Sequence, residues 1–122
     1  MSESGLVATL AKQTEVLAPH FKPGFLQTEQ AVFQFQFTEA EPFHLEVETR
    51  RFSLSPGTHP QPTVTLYIDQ PKTCWRLLLG CEDGMAAFMD GRYRADGNIV
   101  LSQLLLYMFK SDDPTIAYEV QD

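Results

Sequence analysis

Basic residues are scarce in this 122-residue chain: nine Lys and Arg stand against sixteen Asp and Glu, a formal net charge of −7. An acidic protein is repelled by phosphate backbones and by anionic membranes. That argues against nucleic acid as a partner and limits membrane contact to brief, apolar encounters. Long hydrophobic runs are lacking too. No stretch reaches the ~18 apolar residues that a membrane span requires. The opening MSESGLVATLAKQTEVL has neither the basic n-region nor the continuous apolar core of a secretory signal. The last residues, Glu119-Val120-Gln121-Asp122, match no peroxisomal or ER-retention tail. A cytoplasmic protein is expected.

Cysteine is nearly absent. Cys74 and Cys81 lie seven apart, mostly on a predicted helix, and seven helical residues rise about 10.5 Å. A disulfide tolerates only ~7 Å between Cα atoms, so both are expected to be small buried hydrophobes. No histidine stands at ligand spacing beside them, which leaves no metal site. His20, His44 and His59 are scattered over a helix end, a strand's polar face and a proline loop, and are expected to face solvent. Neither GxSxG, HExxH nor a P-loop occurs. Glu46 and Glu48 share a strand face with Arg50, an arrangement commoner on a solvated sheet than in acid–base catalysis. No catalytic residue is assigned, and the chain is not expected to be an enzyme. Arg50-Arg51, Arg92 and Arg94 have the chemistry to hold an anionic headgroup or a carboxylate; pairing with the excess acid is the expected role.

What is abundant is apolar patterning. Leu6, Val7, Leu10, Thr14 and Leu17 recur at helical spacing, predicting a helix from Ser4 to about Ala18 that Pro19, Pro23 and Gly24 end. From Ala31 to Thr38, Phe33, Phe35 and Phe37 alternate with Gln34 and Gln36, the signature of a half-buried strand. After a loop at 39–42, a second strand carries Phe43, Leu45 and Val47, and its apolar phase moves to Phe52 and Leu54 beyond Arg50-Arg51. A bulge or bend there accounts for the shift. The turn-rich SPGTHPQP leads to a third strand, Thr63 to Asp69, and Pro71 then starts a helix that Gly80 caps. This order implies a single α+β domain over 1–122, a mainly antiparallel sheet covered by helices.

The run from Gly84 to Phe109 is the most informative. A small apolar helix leads through Gly91 into a strand, Arg92 to Asp96, and the turn Asp96-Gly97-Asn98 opens a helix without a charge as far as Phe109. Tyr107, Val100, Leu104, Met108, Leu101 and Leu105 span about 160° of that helix, with Ile99 and Leu106 on the other side. Packing on one sheet face needs only ~100°. The excess must meet a second helix, a partner chain or a ligand. After Lys110 the tail is polar, with Ile116, Tyr118 and Val120 as apolar anchors.

Leu79-Gly80, then Ala87-Phe88-Met89-Asp90-Gly91, then Arg92-Tyr93-Arg94-Ala95-Asp96-Gly97-Asn98 and an apolar helix resemble the sterol carrier protein type two family. The likeness is specific over Val64 to Phe109. It implies an α+β fold with about five strands, a fifth being expected from a split near Arg50-Arg51, and an apolar tunnel for sterol, acyl or isoprenoid chains. It implies neither catalysis nor metal nor cofactor, though a lipid or fatty acid can co-purify. By position the resemblance assigns the lining to Met85, Phe88, Met89, Val100, Leu104 and Met108, with Phe33 and Phe35 from the sheet. The missing peroxisomal tail suggests a bacterial-type member. The alternative is an accessory interaction module, a homodimer or a partner in lipid or ubiquinone biosynthesis.

Overall fold

Alternating phenylalanine and glutamine builds the centre of the molecule. In the computed structural model, which describes residues 2–26, 29–81 and 83–109 (side chains of 2–4 aside), that segment is the middle strand β1, Gln30–Phe37. It pairs antiparallel with β2, Phe43–Glu48, and parallel with β4, Val64–Ile68. The edges are β3, Phe52–Pro56, and β5, Tyr93–Gly97, giving the order β3-β2-β1-β4-β5. The tail from residue 110, with its three apolar anchors, lies outside the described residues.

The fifth strand comes from the split at Arg50-Arg51, and the split is a hairpin rather than a bulge. Val47 pairs with Phe52 and Leu45 with Leu54, while the Glu48 N–H donates to the Arg51 carbonyl at 2.7 Å. A two-residue loop, Thr49-Arg50, reverses the chain and moves the apolar phase from odd to even positions. Cross-strand partners share a face, so Phe52 and Leu54 join Val47 and Leu45.

Among the described residues four α-helices flank the sheet: α1, Ser2–Leu17; α2, Pro71–Leu79; α3, Gly84–Met89; and α4, Ile99–Met108. Leu10 and Leu17 of α1, Cys74, Leu77 and Leu78 of α2, and Leu105 and Met108 of α4 join Phe33, Phe35, Leu45 and Leu66 in one apolar cluster. Each such side chain, fully buried, contributes roughly 1.5–3 kcal/mol. Trp75 stacks on Phe43, ring centroids 4.9 Å apart and planes 5° apart, fastening α2 to β2. Phe109 is wedged between Phe21 and Phe52. The Lys22 ammonium donates to the carbonyls of Tyr107 and Met108 at 2.9 and 3.5 Å, a cation placed where the α4 dipole favours it.

The opposite sheet face is not a simple solvated surface. Gln34 is 1% exposed and His44 8%, because the 57–63 segment straps across them. Gln34 Nε2 donates to the carbonyls of Phe43 and Gly57, and its Oε1 accepts from the His59 N–H at 2.7 Å. His44 Nδ1 lies 3.1 Å from the Gly57 carbonyl, and its Nε2 3.4 Å from the Glu46 carboxylate. Buried polar groups need such partners, and the strap supplies them. His44 is therefore an internal residue, not the solvated histidine expected from the sequence.

Two glycines set the geometry around α4. Gly80 ends α2 at φ +78°, and Gly97 adopts φ +110° with the Thr63 carbonyl 2.8 Å from where a Cβ would stand. Neither position suits a larger residue. Asn98 then caps α4, its Oδ1 accepting from the Leu101 N–H at 3.1 Å.

Candidate functional site: an apolar groove beside the last helix

α4 is apolar almost all round, yet it buries only one stripe. Ser102, Leu105 and Met108 face the core, at three-residue spacing. The flank at Ile99, Gln103 and Leu106 instead forms one wall of a partly open groove of about 930 Å³. The end of α2 contributes Leu77 and Cys81, α3 contributes Met85 and Phe88, and β5 contributes Tyr93, Arg94 and Ala95. Where the resemblance implies an apolar tunnel, this structure has a groove reached from solvent.

The wall formed by α3 is thinly attached. Ala87 is its one buried side chain. Phe88 lies edge-on to Tyr93, centroids 5.9 Å apart, but is 51% exposed, and Met85 and Met89 are 69% and 75% exposed. Asp83 holds the helix start, its carboxylate accepting from the Met85 N–H at 3.0 Å. At Gly84 an added Cβ would meet the end of the Leu106 side chain at 2.5 Å, so the missing side chain lets α3 lie close to α4. An exposed cluster this apolar is the kind of surface that takes a ligand or partner.

The lining implied by the family resemblance is dispersed over three environments. Met85 and Phe88 line the groove. Phe33, Phe35 and Met108 are fully enclosed in the core, and Leu104 is half-buried against it. Met89 and Val100 are exposed outside the groove. The groove adds Ile99, Leu106, Tyr93 and Cys81, which sequence reasoning did not assign. A helix without a polar face gives no phase, and so no signal for which flank stays open. Cys81 also departs from expectation: Cys74 is buried, but Cys81 is exposed.

Burial raises the Cys74 thiol well above its ordinary value, and raises the Tyr93 phenol as well. Both are therefore neutral at physiological pH. Among the described groove-lining residues the only formal charges are Asp83 and Arg94. Such a lining buries apolar matter. Among the described residues no His, Cys, Asp and Glu cluster with metal-binding geometry occurs, and no helix is long and apolar enough to cross a membrane.

Residues 13–110 match the model of the SCP-2 sterol transfer family. A comparison with curated protein sequences gave no match. Among solved structures, a ubiquinone synthesis protein, UbiJ-SCP2, superposes with a TM-score of 0.67 at 13% identity, covering 83% of this chain and 92% of that one. A sterol carrier protein from Aedes aegypti in complex with palmitate gives 0.51 at 18%, covering 87% and 92%. The inverting sec-alkylsulfatase Pisa1 from Pseudomonas sp. gives 0.66 at 16%, covering 83% of this chain. The present chain spans only 16% of that enzyme's length. At these identities the likeness is one of fold.

Proposed function

Since the chain belongs to the SCP-2 sterol transfer family, we propose that it is a non-catalytic, cytoplasmic carrier that buries a long apolar chain in the groove between α2, α3, β5 and α4. The observation that carries this reading is the row of exposed apolar side chains along the groove, Met85, Phe88, Ile99 and Tyr107. Left in water they are a liability. Covered by a ligand chain they become an asset: ten buried methylenes gain ~8 kcal/mol before ordering costs.

In this reading Met85 and Phe88 touch the ligand directly, with Ile99 and Leu106 opposite them. Phe33, Phe35 and Met108 back the site from the core, and Leu104 joins them if α4 shifts to admit a bulkier ligand. Exposed Met89 and Val100 serve brief contact with a membrane or donor. Methionine suits such walls, because its unbranched side chain adapts to varied shapes. The Aedes protein holds a C16 fatty acid, which supports an acyl ligand here.

The likeness to UbiJ-SCP2, a ubiquinone synthesis protein, favours a second reading. In it the groove presents an isoprenoid chain to a biosynthetic partner, or packs a second copy of the chain. Titration with cis-parinaric acid tests the carrier. One bound probe per chain is expected, weakened at least tenfold by Ile99→Trp, which fills the groove. Absence of binding by the folded protein, together with a dimer in light scattering that Ile99→Trp breaks, would replace the carrier by the interaction module.

A further inference from the structure

The groove does not end among apolar side chains. A second hollow of about 730 Å³, lined by Gln36, Thr38, Tyr67 and Arg92, shares Phe88, Tyr93 and Arg94 with it. β5 is an edge strand, so both hollows reach its outer rim. Among the described residues Arg94 is the only cation lining the groove, and it belongs to both hollows.

Two other arginines of this acidic chain meet an acid. Arg92 approaches Asp90 at 3.6 Å and Arg51 reaches Glu48 at 2.9 Å. Arg94 forms no ion pair among the described residues; its guanidinium lies over the Tyr67 ring, 4.5 Å from the centroid. Tyr67 is its direct partner across the β4–β5 ladder. The stack fixes the cation in place, yet a ring face offers no ordinary acceptor to the five guanidinium N–H groups. Those donors suit a carboxylate or a phosphate bound by two parallel hydrogen bonds. The other groove charge, Asp83, is engaged in capping Met85. Asp96, two residues along the same strand, and Asp69, which lines the second hollow, both leave the cation unpaired.

Building on the groove reading, we propose that the ligand is an anionic amphiphile whose chain lies in the groove and whose oxyanion head binds Arg94 at the junction, beside Thr38 and Gln36. In a protein of net charge −7, an anionic head needs one such dedicated cation. Displacement of the neutral dye Nile red by laurate, dodecyl phosphate and dodecanol, equal in chain length, tests the assignment. At least one of the two anions should displace the dye about tenfold better than dodecanol, as one charge-assisted contact implies. The better anion identifies the head as carboxylate or phosphate. Arg94→Met should erase that preference while leaving dodecanol unchanged, and Arg94→Lys should restore most of it. Thermal melts of the variants confirm that each is folded. Equal displacement by all three in the native protein, or a preference that survives Arg94→Met, overturns the head-group site and leaves the groove standing. Failure to bind the dye or any of the three overturns both.

Discussion

The side chains that decide this structure are not those with obvious chemistry. Alternation with phenylalanine puts Gln34 on the polar side of a half-buried strand, but it is the hub of the strap that crosses the sheet, bonded to Gly57 and His59. Its burial depends on residues more than twenty positions away, which no local pattern encodes. Replacing it with leucine should cost about 1–3 kcal/mol in urea unfolding, because the His59 N–H and its neighbours lose their partner. Gln36→Leu, at a half-buried position on the same face, should stay within about 0.5 kcal/mol. Cys74 gives the pH dependence. Its folded thiol titrates above the ordinary 9.0, so between those values the unfolded chain has lost a proton that the folded one keeps. The stability is intact below pH 9 and falls as pH rises further. Melting temperatures measured from pH 8 to 11 should decline, and less steeply in Cys74→Ala once its loss of packing at neutral pH is subtracted.

At the scale of elements, what the sequence made legible was period, and what it hid was direction. The Phe33-Phe35-Phe37 alternation, the Pro71 and Gly80 limits of α2, and the Asn98 start of α4 all emerge in the structure as read. So does the split near Arg50-Arg51, but not its form as a hairpin, because Thr49-Arg50 lacks the Asn-Gly or Asp-Gly pair that marks a two-residue turn. α4 presented the opposite problem: with apolar residues on nearly every side, its period could not say which flank meets the core and which lines the groove. The family resemblance implies Met85 and Phe88 as lining, and both stand in the groove wall, whereas Leu106 and Cys81 reach it only through tertiary structure. α3, with Ala87 as its one buried side chain, is then the most easily opened helix. Hydrogen exchange should show the amides of residues 85–89 among the fastest in any helix of the free protein, slowed several-fold by a bound acyl chain. Equal protection with and without ligand would detach α3 from the site.

For the whole molecule, α1, α2 and α4 pack on one face of a five-stranded sheet and the 57–63 strap crosses the other, while the groove beside α4 stays open to solvent. Membership of the SCP-2 sterol transfer family and the exposed apolar rim converge on that opening as the place for a ligand chain. Cys81 stands in its wall and is exposed, whereas Cys74 is sealed in the core, so the protein carries its own reporter. The rate at which the disulfide reagent DTNB modifies Cys81, measured with and without a saturating C16 fatty acid, tests the central claim most directly. One reactive thiol is expected in the folded protein, slowed at least tenfold when the acyl chain is bound. A bound ligand that leaves the Cys81 rate unchanged would place the chain elsewhere and contradict that claim.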